Sequence, residues 1–528
     1  MTHHSAAASF SPITPATPDH FAAPPAGAQT NHAPMRQLYL ALSEPLPAEH
    51  PAIGSAAEWL AAQLHSDSNA SGSGSGSALP ASDFAAWQQA RQDDIDEQYK
   101  QYMAERRAGA PRRMFGGRAH ALHYLSAVAP ARLTDGAWLY GVLARWDDPS
   151  LQPLIATYLE ELGNGVPDKN HVVIFQQLID AHGCAKWRQL GEAHFHGGLT
   201  QLALAHHAER FLPELVGYNL GAEHASLDTL IAAYEMNELG IDPYYFTLHA
   251  TVDNGLTGHA RLALQALEQL TPQDDPADFL RRVEAGYRLH QRALSSAELL
   301  AGFDLERELV AALAGKHIPA RRPDGAVNPA WAAPIAGRPL GEWLADPGQV
   351  PALLAALESH GWVARGGDPA ISRLWGMIEP AEAGSETENE DDSEDGAAPL
   401  AQLFSAYELA LLADWIATDP RAPSPAAGPG TLRPSPRAAG ALALANTQPA
   451  PRRIEESAER GIIRHRFPDD EHGWEAIANE LSLLEARVVA SSSKAEAIAL
   501  LTSLMAPSNH HTSTGLMATR MFSKLFTA

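Results

Sequence analysis

The 528-residue chain contains one cysteine, Cys184. A single thiol excludes an intrachain disulfide framework and any thiolate zinc cluster. Any metal must then be held by His, Asp and Glu, a donor set that suits iron or manganese better than structural zinc. Basic residues are scarce as well: 38 Lys and Arg face 63 Asp and Glu, for a net charge of −25. That balance argues against a nucleic-acid partner or an anionic membrane surface, both of which call for a basic patch. It reads as an acidic, solvated surface. No apolar run approaches the roughly 18–20 residues of a membrane span. The opening MTHHSAAASF lacks a basic stretch followed by an apolar one, so it does not read as a secretory signal. A soluble, cytoplasmic protein is expected. Runs of alternating β-branched residues are also missing, which leaves no basis for a sheet.

What is present is helical periodicity, unevenly distributed. Residues 1–83 read as a mostly disordered arm. It includes an amphipathic piece (Leu38, Leu40, Leu42, Trp59, Leu60, Leu64) and the flexible linker SGSGSGS at Ser71–Ser77. Residues 84–119 form a charged lead-in helix. From 120 to 315, helix-length apolar stretches alternate with short Gly, Pro or Asp punctuation. Among them are Leu151–Leu162, His171–His182, Leu212–Leu239 and Tyr244–Leu270. The fold expected there is an all-α bundle. A helical extension over 316–378 follows, then an acidic loop over 379–398, where Glu386–Asp395 carries seven acids in ten residues. A helix over 399–418, a Pro/Ala-rich linker over 419–452 and a helical C-terminal segment over 453–528 complete the chain.

Nine of the 24 histidines fall between His171 and His259, and spacing sorts them better than density does. In YYFTLHATVDNGLTGHARLAL, His249 and Asp253 are four apart and share one face of a helix. Their apolar neighbours enclose them, and a buried carboxylate beside an imidazole is costly unless it is paired or bound to a cation. A simple His–Asp hydrogen bond between helices would also serve. In TYLEELGNGVPDKNHVVIFQQL, Glu160 and Glu161 end one helix, the Gly163-Asn164-Gly165 turn breaks it, and His171 falls one turn inside the next. An ordinary turn explains this segment equally well. Glu223 follows the small residues Gly221 and Ala222 in an apolar helix that also offers Glu214, Glu235 and Glu238. Periodicity does not choose among these carboxylates.

Taken together, Glu161-x9-His171, Glu223 in its YNLG-x-E context and His249-x3-Asp253-x5-His259 resemble the haem-oxygenase-like di-iron oxidase/oxygenase superfamily. More narrowly, they resemble bacterial proteins described as iron-containing redox enzymes. The segment NELGIDPYYFTLHATVDNGLTGHA is the most specific part, and the resemblance covers Ala129–Leu270 well. It implies a seven-helix bundle whose core helices hold two iron(II) ions, with disordered arms and extra C-terminal helices added here. Carried across, the ligands are Glu161, His171, Glu223, His249, Asp253 and His259. The first core helix of the family supplies a Glu; the corresponding LTDGAWLYG offers only Asp135. His259 stands six residues past Asp253, where many relatives have three. In a continuous helix that spacing is a rotation of about 600°, off the His249 face. A bulge at Gly255 or Gly258 would re-aim it.

The resemblance implies an O2-dependent oxidase or oxygenase acting on a small amino- or fatty-acid-like molecule. An external electron donor and a homodimer are both compatible with it. Tyr218, Tyr244, Tyr245 and Trp138 are candidates to line the pocket or to pack the core. Two other functions remain open at this point: a cofactor-free oxidase on the same fold, and a non-catalytic interaction protein.

Overall fold

The computed structural model describes residues 34–69, 79–80, 82–224, 226–253, 258–318, 320–321, 332–378, 403–419 and 471–527. The expectations placed on 1–33, the Ser71–Ser77 linker, Glu386–Asp395 and 421–451 lie outside these. Within them the protein is all-α. The N-terminal part contributes α1 (Met35–Leu42), α2 (Pro51–Asn69) and α3 (Phe84–Arg107). The central part runs through α4 (Arg118–Arg132), a 3-10 helix (Ala137–Arg145), α5 (Gln152–Glu161), α6 (His171–Ala181) and α7 (His196–His207). It continues with α8 (Leu212–Ala222), α9 (Leu227–Glu238), α10 (Tyr244–Val252), α11 (His259–Leu270), α12 (Pro276–His290), α13 (Ser296–Ala301) and α14 (Leu305–Ala314). Further along come α15 (Leu340–Leu344), α16 (Val350–Ser359), α17 (Arg373–Ile378), α18 (Ala406–Ala417), α19 (Glu471–Val489), α20 (Lys494–Leu504) and α21 (Ser513–Thr527). No helix among the described residues is long and apolar enough to cross a membrane.

Three differences from the sequence reading have clear causes. Residues 34–69 are not an arm: Tyr39, Leu42, Trp59 and Leu60 are buried in the common core, because α1 and α2 lay their apolar stripes on α7. A two-stranded antiparallel ribbon, Pro334–Ile335 with Arg338–Pro339, interrupts the helices. The stretches Leu212–Leu239 and Tyr244–Leu270 are each two helices rather than one. Glu223 (φ −87°, ψ 42°) and Asp253 (φ −83°, ψ 22°) leave the helical region and stop α8 and α10. Both breaks fall at carboxylates that turn inward.

What positions these breaks is close helix packing. The backbones of α8 and α12 meet at Gly217 and Gly286: a Cβ on either would come within 1.8 Å of the opposing carbonyl oxygen, of Val283 or Glu214. Only glycine permits that approach. A fork of two hydrogen bonds from Arg282 to the Glu214 carboxylate, at 2.7 and 2.6 Å, locks the pair. The end of α8, and with it Glu223, is thereby fixed in the interior.

Candidate metal centre

Each inward side chain is placed by a helix end rather than a helix middle. Glu161 is the last residue of α5 and His171 the first of α6; Asn170 caps that helix by accepting from the Val173 N–H at 3.0 Å. His171 is thus not one turn inside, because Pro167 opens a separate 3-10 turn, Pro167–Lys169. His259 likewise begins α11, after the extended Gly258. A bulge in a continuous helix is therefore not what brings it inward: α10 has ended at Asp253, and α11 starts afresh. Asp135 sits in the turn before the 3-10 helix, beside Gly136 at φ +76°. A Cβ on Gly136 would lie 2.7 Å from that of Glu161, so glycine lets this turn close on the site.

The result is two groups joined by one residue. Asp135, Glu161, His171 and His249 offer ligand atoms that all lie within 4.8 Å of one another, and so do Glu161, Glu223 and His259. All six are buried. Glu161 Oε2 is 2.7 Å from His171 Nδ1, while Glu161 Oε1 is 3.2 Å from His259 Nδ1. His249 Nε2 lies 2.8 Å from Asp135 Oδ2. His259 Nδ1 is 2.9 Å from Glu223 Oε2 and 3.4 Å from Asp253 Oδ1. Every candidate named from the sequence, Asp135 and His259 included, converges here. The competing carboxylates are engaged elsewhere. Glu214 holds Arg282, Glu238 holds Arg106, and Glu235 accepts from Tyr102 and from the Met114 and Phe115 N–H groups.

Sequence reasoning did not assign the supporting roles of Tyr245, Glu160, Asn170 and His510. Tyr245 donates its hydroxyl to Asp135 Oδ2 at 2.7 Å, and its carbonyl accepts from His249 Nδ1 at 2.9 Å. It stands one turn before His249, a spacing that could have suggested it. Glu160 lies 3.0 Å from His259 Nε2. Asn170 donates to His510 Nδ1 at 3.3 Å, across 340 residues that no local pattern links.

Polar atoms inside the site lack partners in a way that fits a cation. Glu161 Oε2, His171 Nδ1, Glu223 Oε1 and Asp253 Oδ1 are buried without a hydrogen bond among the described residues. For Glu161 and His171 this holds at 2.7 Å, so the two atoms face a common point without the alignment of donor and acceptor. Four carboxylates and three imidazoles form a hard, mixed O/N set that suits iron.

Residues 122–291 match the family model described as iron-containing redox enzyme. This stretch belongs to that haem-oxygenase-like family. The match supports an iron-dependent oxidoreductase. No curated protein and no solved structure matches it.

Without metal, the electrostatics of this iron-family site run as follows. Burial pulls the His249 pKa down, but the charge and hydrogen bond of Asp135 outweigh it and raise it to about 9. His259 is held well above its ordinary value: burial opposes protonation, and Glu223, Asp253, Glu160 and Glu161 overcome it. Burial pushes Glu223 up to about 8 against the pull of His259, helped by repulsion from Glu161 and Asp253. Glu161 is driven well below the usual range, since His171 and His259 outweigh its burial. His249 and Glu223 therefore hold protons more tightly folded than unfolded, and the stability they contribute drains away as pH rises. The melting temperature of the metal-free protein is expected to fall between pH 6.5 and about 9, following His249 and Glu223. Buried His290, held down to about 4, titrates below that window. Metal-loaded protein, whose ligands are already deprotonated, is expected to stay level. Thermal melts of both forms across this range check it; a metal-free melting temperature that climbs with pH would contradict it.

A cavity of about 1140 Å³ adjoins the centre, with Asp135, Glu161, Glu223, His249 and Asp253 in its wall. Trp138 and Tyr218 line it, whereas Tyr245 serves Asp135 and exposed Tyr244 donates to the Asp168 carbonyl.

Proposed function

We propose that the two joined clusters hold two iron(II) ions sharing Glu161, and that the protein uses O2 to oxidise a small organic molecule bound in the adjoining cavity. The observation that carries this reading is the division of Glu161, with Oε2 toward His171 and Oε1 toward His259. One position would take Asp135, His171 Nδ1 and His249 Nε2. The other would take Glu223, Asp253 and His259 Nδ1.

Charge supports two divalent cations rather than one. With metal bound and the ligands deprotonated, Asp135, Glu161, Glu223 and Asp253 would bring four negative charges to a buried volume, which two divalent cations would balance. The imidazoles are oriented for the task. The Tyr245 carbonyl can only accept, so His249 Nδ1 carries the hydrogen and Nε2 is left as the donor atom. The Glu160 carboxylate accepts from His259 Nε2 in the same way and aims Nδ1 inward. Such outward hydrogen bonds fix the tautomer and orientation of a metal-binding histidine. The Tyr245 hydroxyl steadies Asp135. Iron(II), held by Asp135, Glu161, His171, Glu223, His249, Asp253 and His259, would supply redox chemistry toward O2. The cavity wall sets the organic molecule against Asp135, His249 and Asp253 and limits the water beside them. Electrons beyond those the substrate yields would come from an external donor.

The test is O2 uptake by iron(II)-loaded, zinc-loaded and metal-free protein, with ascorbate as reductant. Uptake well above the protein-free background is expected from the iron form alone. Equal uptake by metal-free protein would overturn the reading in favour of a cofactor-free oxidase.

A further inference from the structure

Once four carboxylates are assigned to the metals, the rest of the cavity wall is cationic. Arg91, Arg132, Arg288 and Arg292 all line it, and Asp228 is the one carboxylate outside the centre among the described lining residues. Two of these cations are committed elsewhere: Arg288 pairs with Glu284 at 2.6 Å, and Arg292 donates to the Gln63 carbonyl at 3.0 Å. The other two, Arg132 and Arg91, make no hydrogen bond to a carboxylate among the described residues.

Arg132 ends α4 close to the metal centre. Its nearest carboxylate oxygen, Asp135 Oδ1, is 3.8 Å away, beyond hydrogen-bond reach, and its guanidinium stands 5.9 Å from the Tyr245 ring centroid. Arg91 comes from α3, outside the matched residues 122–291. It lies 5.0 Å from the Trp87 ring centroid and donates to the Tyr287 hydroxyl, with no carboxylate in ion-pair range among the described residues. His290 senses both guanidiniums, which act with burial to hold its pKa down to about 4. Next to Arg91, His224 stacks on Trp87 at 6.4 Å. Its Nε2 is buried with no hydrogen-bond partner among the described residues, and His224 lines the cavity.

Among the described residues, one guanidinium without an anion, a second whose carboxylate neighbour stays at 3.8 Å and one orphaned ring nitrogen make a wall short of counter-charge. A partly buried cation of this kind gains most from a charge-assisted, bidentate contact with carboxylate or phosphate. We propose that the substrate is a small dianion, with one anionic group on Arg132 beside the metal centre and the other on Arg91 and His224. The inference rests on the two-iron reading, since metal charge must first offset the four carboxylates. Because α3 supplies Arg91, the lead-in helix becomes part of the substrate site and not only a brace for α9.

The test uses anaerobic iron(II)-loaded full-length protein and straight-chain dicarboxylates of about four to eight carbons, a span set by the usual size of ligand pockets. Monocarboxylates of equal length are the controls, and binding is followed by calorimetry. At least one dicarboxylate is expected to bind about tenfold more tightly than its control, as one added charge-assisted contact implies. Arg91→Gln should erase that preference, Arg91→Lys should keep part of it, and Arg132→Gln should weaken both series. The proposal is overturned if no dicarboxylate outbinds its control, or if Arg91→Gln keeps the preference. Iron counted in the same samples separates the two claims. Two irons per chain with no dicarboxylate preference would overturn the dianion proposal and leave the two-iron reading standing, whereas protein that takes up no iron would overturn the two-iron reading itself.

Discussion

Replacing Glu161 with alanine is expected to abolish tight iron binding at both positions, taking bound iron from two per chain to nearly none. Its carboxylate is the one group that faces both clusters, 2.7 Å from His171 Nδ1 and 3.2 Å from His259 Nδ1. Its loss would leave three ligands at each position and remove the charge that screens the two cations from each other. Glu223→Ala makes the contrast, because Glu223 touches only the His259 side. That variant is expected to keep about one iron, at the position of His171 and His249. For comparison, residues that merely support metal ligands change affinity by about 10–100-fold, so direct ligands should cost more. Iron per chain, measured after anaerobic loading and desalting, decides between the variants. A Glu161→Ala protein that firmly keeps one iron would show that Glu161 is not shared.

Removing α20 and α21, residues 494–527, is expected to destabilise the bundle and take the centre with it. These helices bury Ile498, Leu501, Met505, Leu516 and Phe522 against the central part, and the Tyr158 hydroxyl donates to the Met505 carbonyl at 2.5 Å. Phe522 is fully buried, so Phe522→Ala alone should cost about 3–5 kcal/mol. The contact is local to the metal centre. His510 reaches Asn170, the residue that caps α6 just before His171, and Ser523 donates to Asn164 at 3.2 Å in the turn after Glu161. The turn that separates two ligands is thus clamped by the end of the chain. Denaturant melts of Phe522→Ala and iron counts on His510→Ala check this. Unchanged stability in the first and unchanged iron affinity in the second would contradict it.

The sequence made the candidate ligands readable and left their geometry hidden. His249 and Asp253 could be paired from helical spacing alone, because both lie on α10 or at its end. Glu161 and His171 flank a turn marked by Gly163, Asn164 and Gly165, and that punctuation survives in the structure as helix ends. The reading failed where a carboxylate itself ends a helix. Glu223 and Asp253 sit in apolar, periodic stretches, and nothing local marks the break: it is fixed by the contact of α8 with α12 at Gly217 and Gly286 and by the restart of α11 at His259. His259 is misdirected only in a single continuous helix, and α11 instead begins at it. The roles of Arg91, Glu160 and His510 are hidden for a similar reason, since each gains its place from packing between segments distant in sequence.

The central claim is that two metal ions share Glu161, and an anaerobic titration with 57Fe(II) followed by Mössbauer spectroscopy tests it most directly. The account predicts uptake of two iron(II) ions per chain, in His- and carboxylate-ligated environments, with both signals lost together in Glu161→Ala. Saturation at one iron per chain, or two irons that persist without Glu161, would contradict it.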